Sequence, residues 1–175
     1  MNEQPPAEFL GRMADLTTHK IEGYISPAAR FATVRTDQPF SMPIITQIDG
    51  NLWQGGCPAP ELPDYFKHVL NLYPWESYKY AHGTEVRSER LYDGPEVPSA
   101  LLLEGLAIWV NERSKDAPTL VHCQAGLNRS ALVTGLALVR RGMKAADAIA
   151  LLRAKRSPMV LCNTAFEQWL LTQKR

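Results

Sequence analysis

Residues 121–130 read Val-His-Cys-Gln-Ala-Gly-Leu-Asn-Arg-Ser, and they connect a short apolar run to a longer apolar run with helical spacing. Within them, five residues separate Cys123 from Arg129. A loop of that length can curl so that its backbone N–H groups converge on one point, and the helix that follows adds the positive end of its dipole. The stretch therefore predicts a strand, a tight anion-binding loop and a helix, with the Cys123 sulfur at the floor of the loop.

The residue types in this loop suit a bound phosphate. Arg129 ends the loop with a planar guanidinium that matches two oxygens of one phosphate group. The same positive surroundings favour the thiolate of Cys123, which is the nucleophilic form of cysteine. Gly126 permits a positive φ or a close approach of a ligand to the backbone. The predicted phosphate-binding residues are Gln124, Ala125, Gly126, Leu127, Asn128 and Arg129.

The order Cys-x5-Arg-Ser, with His122 before the cysteine and Gly126 three residues after it, resembles the motif of cysteine-dependent protein phosphatases. The resemblance implies that Cys123 attacks phosphorus while Arg129 holds the phosphate oxygens. A cysteine and an arginine at this spacing also occur together by chance. The alternative is therefore a buried structural cysteine at an ordinary strand-to-helix turn.

Size, charge and cysteine content narrow the class of protein. The 175 residues carry a formal net charge of +1, so no overall field attracts nucleic acid or a membrane surface. The length is typical of one domain, and no apolar run is long enough for a membrane span. The N-terminus lacks a signal-peptide core, and three cysteines favour reduced thiols in the cytoplasm over disulfides. We expect no cofactor and, because no zinc-type ligand spacing is present, no metal.

The hydrophobic patterns divide the chain into an extension and an α/β core. Residues 1–43 are predicted to form a partly irregular N-terminal extension with a short helix over Ala7–Leu16. Short apolar or alternating runs predict strands at Ile44–Ile48, Asn51–Gln54, His68–Leu72, Glu85–Leu91 and Pro118–His122. Helical spacing and cap residues predict helices over Ser99–Ser114, Ser130–Arg141, Lys144–Arg156 and from Thr164 onward. This order predicts an α/β domain with helices packed around one sheet.

A phosphocysteine mechanism also needs an acid that protonates the departing oxygen. In the phosphatases that the motif resembles, this acid is an aspartate on a loop before the cysteine. Asp93, in the segment Leu-Tyr-Asp-Gly-Pro-Glu-Val-Pro at residues 91–98, occupies that place. Gly94 and the two prolines mark the segment as a loop. The alternatives are an ordinary turn aspartate, because Asp-Gly is a common turn pair, and Glu96 as the acid.

Two neighbours of the loop are candidates for supporting roles. Ser130 is placed to donate its hydroxyl hydrogen to the Cys123 sulfur, which helps the thiolate leave when water attacks the phosphoenzyme. Its alternative role is to cap the helix that begins here. We expect His122 to orient the loop through a hydrogen bond, rather than to act as a base or a metal ligand. The alternative for His122 is an ordinary core histidine.

From Ile44 to the C-terminus, the chain resembles a small dual-specificity phosphatase. The similar segments are residues 44–48, 51–55 and 69–72, Ala148-Ile149, Arg156, Asn163 and Phe166. The resemblance implies a protein tyrosine phosphatase-like fold, in which a central, twisted and mostly parallel sheet of about five strands is surrounded by helices. It implies a catalytic domain over residues 44–175 that acts on phosphotyrosine, and often on phosphoserine or phosphothreonine, in a protein or peptide substrate. Its nearest enzymatic alternative is an RNA 5′-triphosphatase of the same fold, and its non-enzymatic alternative is a phosphate-binding scaffold.

Four further features bear on substrate choice and on redox control. The segment 73–80 is unusually aromatic and is expected either to pack locally or to wall the pocket. Arg156 is placed where family members hold a second phosphate. The loop between Cys123 and Arg129 contains no lysine, which argues against inositol lipids. Cys57 and Cys162 are candidate partners for an oxidised Cys123, although small buried hydrophobic side chains are the simpler interpretation of both.

Overall fold

A computed structural model describes residues 20–25, 38–56, 64–75 and 78–175 of the chain. Its strands, numbered in chain order, are β1 Lys20–Ile25, β2 Gln38–Pro43, β3 Ile45–Asp49, β4 Leu52–Gly55, β5 His68–Asn71, β6 Glu85–Ser88 and β7 Thr119–His122. Its helices are α1 Ala100–Arg113, α2 Arg129–Arg140, α3 Ala145–Lys155 and α4 Thr164–Leu171.

A five-stranded sheet in the order β3-β4-β7-β5-β6 forms the centre of the molecule. Strands β4, β7, β5 and β6 run parallel, and β3 is the one antiparallel member. All four residues of β7 are buried, as expected for the middle strand of a sheet covered on both faces. Ligand sites in sheets of this kind lie beyond the carboxyl ends of the parallel strands. The end of β7, directly before Cys123, is therefore the natural place for a site.

The helix after β7 is the most deeply buried helix. In α2 every residue from Arg129 to Val139 is buried, and the helix packs against α1, α3 and α4. A side chain at Gly135 would put its Cβ 2.6 Å from the Leu170 side chain, so the glycine lets α4 approach α2 closely. A second, smaller core of Ile45, Trp53, Phe66, Val69 and Leu120 forms a separate buried cluster. The N-terminus of α2, where Arg129 begins the helix, is thus fixed by packing around it.

The structure confirms the predicted sheet of about five mostly parallel strands surrounded by helices. Ser99 caps α1 as expected, because its side chain accepts a hydrogen bond from the Leu102 N–H at 3.2 Å. The last helix has its cap one residue before Thr164, the residue at which the predicted helix opens. Asn163 is the cap, and its side-chain oxygen accepts from two backbone N–H groups. The fourth predicted strand is shorter than expected, since β6 ends at Ser88.

The predicted N-terminal extension contains regular structure. Strands β1 and β2 pair antiparallel, from Lys20 opposite Pro43 to Ile25 opposite Gln38. Met42, in β2, is 1% exposed and belongs to the main hydrophobic core, two residues before the predicted domain start at Ile44. The helix predicted over Ala7–Leu16 lies outside the described residues, as does Cys57. The division of the chain at residue 43 remains a prediction.

Candidate active site

The loop that connects β7 to α2 surrounds a cysteine sulfur with hydrogen-bond donors. Cys123 is 2% exposed, and the Gly126 N–H donates to its sulfur at 3.3 Å. The Ser130 hydroxyl oxygen lies 3.4 Å from the same sulfur, within hydrogen-bond distance. In the thiolate form, the sulfur accepts both hydrogen bonds. The predicted partnership of Cys123 and Ser130 is therefore present in the geometry.

Three successive carbonyls of the loop are held from its outer side. The Ala125 and Gly126 carbonyls accept from the Arg156 guanidinium at 3.3 and 2.8 Å, and the Leu127 carbonyl accepts from the Leu161 N–H at 2.9 Å. In a planar trans peptide, the C=O and the following N–H point in opposite directions. The three N–H groups that follow these carbonyls thus point away from the anchors and toward the interior of the loop. This is the arrangement that binds a phosphate through backbone amides.

Gly126 is the one loop position where the backbone requires glycine. Its φ is +72°, in the left-handed region that side chains disfavour. A Cβ there would overlap the Arg156 guanidinium and would lie 2.5 Å from the Gly55 carbonyl oxygen. Both conformation and space therefore exclude a side chain, as the sequence predicts for this position.

The Arg129 guanidinium is buried, but its hydrogen bonds to the protein are long. The residue is 6% exposed, and its two terminal nitrogens donate to the Leu91 carbonyl and to the Gln124 side chain, each at 3.4 Å. The central carbon of the guanidinium, Cζ, lies 5.0 Å from the centre of the Tyr73 ring, which is a cation–π contact. The Nε–H has no acceptor among the described residues. Because buried donors are normally satisfied, the long contacts and the unpaired Nε–H leave this fork available to an anion.

Asp93 is tied to the phosphate loop by two asparagine side chains. One carboxylate oxygen accepts from the Asn128 amide at 2.9 Å, and the other accepts from the Asn163 amide at 2.8 Å. Asn128 also accepts the Asn163 backbone N–H at 3.0 Å, so the three residues form a closed network. The structure therefore brings the predicted acid, from a loop 30 residues earlier, against the last residues of the cysteine loop.

The part of the chain that contains this site matches a known family. The catalytic-domain family of dual specificity phosphatases matches residues 65–175. The chain belongs to this family. The match contains the cysteine loop, the Asp93 loop and all four described helices. The family predicted from the motif is confirmed.

Two curated protein tyrosine phosphatases match part of the chain in sequence. The chain is 35% identical over 104 residues to protein tyrosine phosphatase PRL-1 of Leishmania major, a match that covers 54% of this chain and 58% of that protein. It is 38% identical over 66 residues to protein tyrosine phosphatase type IVA 3 of Bos taurus, covering 37% and 38%. The matches thus span less than two thirds of each of these curated relatives.

Solved structures support the fold. The crystal structure of human DUSP28 superposes with a TM-score of 0.64 at 20% identity, covering 72% of this chain and 94% of that one. The active form of Tk-PTP superposes with a TM-score of 0.61 at 25% identity, covering 75% and 98%. At such identities the likeness to DUSP28 concerns the backbone arrangement alone.

His122 is a neutral packing residue in this family member. The ring is fully buried, and burial lowers its pKa to about 4, against a smaller opposing effect of the Cys123 backbone. Neither ring nitrogen has a hydrogen-bond partner of normal geometry in the described part of the chain. Instead, the ring packs edge-on against Tyr78, with ring centres 4.9 Å apart. The orienting hydrogen bond from His122 to the loop stays a prediction, and the Cys123 backbone is the loop group that acts on the ring.

An aromatic wall borders the Arg129 side of the loop. Tyr73 lies 5.0 Å from Trp75, and Trp75 lies 5.4 Å from Tyr92 between ring centres. Trp75 is 41% and Tyr92 is 67% exposed. Beside this wall, residues 90–99 and Leu102 line a groove of about 590 Å³ that includes Asp93. The aromatic segment 73–80 thus packs locally at Tyr73, and its Trp75 reaches solvent beside Tyr92 of the acid loop.

Sequence reasoning misses the parts of the site that act through distant contacts. Spacing along the chain gives Asn163 no role beside Asp93, and Gln54, which donates to the Gly126 carbonyl at 2.9 Å, is predicted only as a strand residue. A buried polar residue inside a parallel strand is the signal that marks Gln54, because such strands are usually continuous apolar runs.

In the described part of the chain, no three metal-ligating side chains cluster together, and none of the helices has the length and apolar character needed to cross a membrane.

Proposed function

We propose that this chain is a cysteine-dependent phosphatase that hydrolyses phosphotyrosine, and also phosphoserine and phosphothreonine, in proteins. The observation that carries the proposal is the Cys123 sulfur in contact with the Gly126 N–H and the Ser130 hydroxyl, inside a loop joined through Asn128 to Asp93. A nucleophile, anion donors and an acid on loops joined by a hydrogen bond are the components that phosphoryl transfer requires. Family membership supports the reaction class.

In the first step, the Cys123 thiolate attacks phosphorus in line with the ester oxygen. The S–P bond forms as the P–O bond to the substrate breaks, and Asp93 gives its proton to the departing oxygen. The loop N–H groups and the Arg129 fork bind the three other phosphate oxygens. Both Asp93 oxygens accept from amides, and the protonated carboxyl keeps the acceptor capacity for these bonds while its O–H is donated to the substrate.

In the second step, water attacks the phosphocysteine and the S–P bond breaks. The Asp93 carboxylate takes a proton from that water, and the Ser130 hydroxyl donates a hydrogen bond to the departing sulfur. His122 takes no part as a base, because it is fully buried and holds no hydrogen bond to the reacting groups. Inorganic phosphate leaves, and the thiolate is restored.

Replacing the nucleophile tests this proposal. We expect Cys123→Ser to abolish hydrolysis of p-nitrophenyl phosphate and of phosphotyrosyl, phosphoseryl and phosphothreonyl peptides, while phosphate or vanadate still binds. Cys57→Ser is the matched control, because it removes a thiol outside the Cys-x5-Arg motif. Turnover by Cys123→Ser that equals the parental rate would rule out the mechanism. A triphosphate-ended RNA and an inositol phosphate complete the substrate panel, and a preference for either would replace the protein substrate.

The proposal includes the predicted location and limits of the enzyme. A thiolate nucleophile needs a reducing compartment, so we propose that the enzyme works in the cytoplasm. We also propose that residues 44–175 contain the catalytic domain. Expression of that segment, followed by the p-nitrophenyl phosphate assay, tests the boundary, and loss of activity there with activity in the full chain would move it toward the N-terminus.

A further inference from the structure

Arg156 lies behind the phosphate loop, with all of its donors committed to the protein. The residue follows α3 and is 5% exposed. Its guanidinium makes five hydrogen bonds, four of them to backbone carbonyls, which equals the number of its N–H groups. The acceptors are the Gly126 oxygen at 2.8 Å, the Thr46 hydroxyl at 3.0 Å, the Ile44 oxygen at 3.2 Å, and the Gln54 and Ala125 oxygens at 3.3 Å. With no N–H left over, Arg156 does not hold a second phosphate, contrary to the prediction from family position.

The position of Arg156 determines how the loop peptides face. The Ala125 carbonyl and the Gly126 N–H belong to one peptide unit, in which the two groups point in opposite directions. Arg156 binds that carbonyl at 3.3 Å, and the N–H on the other side donates to the Cys123 sulfur at 3.3 Å. In the next peptide, Arg156 and Gln54 both bind the Gly126 carbonyl. Its partner N–H, that of Leu127, is turned inward by the same geometry.

The charge of Arg156 has no carboxylate partner among its five hydrogen bonds. Burial lowers its pKa to about 10, and the negative charge of Cys123 acts in the opposite direction. At neutral pH the side chain therefore remains protonated. A buried cation is costly unless an opposite charge or oriented dipoles compensate it. Here the carbonyls supply the dipoles, and a Cys123 thiolate across the peptide supplies the charge.

We propose that Arg156 is a positioning residue that turns the loop peptides toward the sulfur and balances the charge of the Cys123 thiolate. The inference rests on the proposed function, because it assigns a role within the same site. Arg156 touches no substrate and acts through the peptides at residues 125–127. The charged and titratable groups placed at this loop are Arg129 on α2, Arg156 after α3, Asp93 on the acid loop, His122 on β7, Cys162 before α4, and Tyr73 against Arg129. The other charged residues of these helices are Arg140, Asp147, Arg153, Lys155 and Glu167.

Alkylation of Cys123 by iodoacetamide, followed over pH, measures the thiolate without any need for turnover. Peptide mass spectrometry separates Cys123 from Cys57 and Cys162. We expect Arg156→Met to move the alkylation midpoint of Cys123 upward by about one pH unit, as loss of a nearby opposite charge does. We also expect kcat/KM for p-nitrophenyl phosphate to fall by at least about tenfold, mainly through kcat, because displaced loop N–H groups stabilise the transition state less well.

Arg153→Met is the matched control, because Arg153 also lies at the end of α3 and donates to a backbone carbonyl, that of Val160 at 3.0 Å. It lies outside the loop contacts, so we expect parental alkylation and parental kcat/KM. A folded Arg156→Met protein with the parental alkylation midpoint and the parental kcat would overturn the proposal. Circular dichroism and thermal unfolding establish whether each variant is folded.

If Arg156→Met does not fold, two milder variants decide the matter. Arg156→Lys keeps the charge but not the fork, so we expect the midpoint near the parental value with kcat/KM about tenfold lower. Gln54→Met removes a neutral donor to the same Gly126 carbonyl, and we expect a lower kcat without a shift in midpoint. Parental kcat/KM in Arg156→Lys would contradict the positioning role. If the parental chain hydrolyses no substrate, the proposed function fails, while the alkylation midpoints still test Arg156.

Discussion

The two loops that meet at this site are held in different ways. The cysteine loop has its carbonyls anchored by a buried arginine and a backbone N–H, and it contains a glycine that tolerates no side chain. The Asp93 loop is partly exposed, borders an open groove, and is joined to the cysteine loop through asparagine side chains. Groups that bind charge in a transition state work best when fixed beforehand. A proton donor, in contrast, has to change its bonds during the reaction.

The anchoring of the cysteine loop is tested most severely by a substitution at Gly126. We expect Gly126→Ala to lower kcat/KM by about 10²–10³-fold, the effect of losing an aligned oxyanion donor. The added Cβ would overlap Arg156 and Gly55 and would move the loop. The measurement is steady-state hydrolysis of p-nitrophenyl phosphate together with thermal unfolding.

Gly83→Ala is the control for this change. Gly83 has a similar φ of +83°, but in the described part of the chain no residue beyond its two neighbours comes within 4 Å of an added Cβ, so backbone strain occurs there without a clash. Strain alone costs about 1–2 kcal/mol. If both variants lose the same stability and neither loses activity, steric exclusion at Gly126 does not hold the loop in shape.

For the Asp93 loop, the substitution with the largest expected effect is that of the acid itself. We expect Asp93→Asn to lower kcat by about 10²-fold for phosphopeptides, because no proton reaches the departing oxygen. The loss should be smaller for p-nitrophenyl phosphate, whose leaving group needs less protonation. Glu96→Gln separates the two candidate acids, and a larger loss with Glu96→Gln than with Asp93→Asn would reassign the role.

The link between the loops is tested at Asn128. We expect Asn128→Ala to lower kcat by about tenfold with little change in KM, because Asp93 loses one tether and sits less often over the leaving group. The Asn163 N–H also loses its acceptor, which costs about 1–3 kcal/mol of stability. Hydrogen exchange over residues 90–99 should accelerate. Exchange and kcat that both match the parental chain would show that the tether does not position the acid.

The smallest expected effect is that of His122 on the pH dependence of the free energy of unfolding. Because its folded pKa of about 4 lies below the usual value of 6.5, the unfolded chain binds the proton more readily. The contribution of the neutral His122 ring to the free energy of unfolding is fully present above about pH 6.5, and it is lost as the pH falls toward 4. We expect about 1 kcal/mol less stability at pH 5.5 than at pH 6.5, and His122→Phe should flatten this slope. His82→Asn, at an exposed site, is the control, and equal slopes in all three proteins would contradict the assignment.

The sequence was most informative where chemistry depends on neighbours along the chain. The strand, the loop and the helix around Cys123 follow from apolar runs and the five-residue spacing, and the fold agrees. The Asp93 network and the five contacts of Arg156 join residues 30 to 112 positions apart, so no local pattern reveals them. Family position placed Arg156 on a second phosphate because spacing along the chain does not report burial. The β1–β2 hairpin was missed because the surrounding prolines and polar residues weakened its alternation.

The anchoring of Arg156 makes the reactive motif dependent on the far edge of the molecule. A chain that began at Asn51 would retain the complete ten-residue signature, yet it would lack the Ile44 carbonyl and the Thr46 hydroxyl that hold the guanidinium. Grafting the signature onto another scaffold would have the same defect. Reactivity here depends on the assembled domain, and we expect it to fall when β3 separates from the sheet, even if every signature residue remains in place.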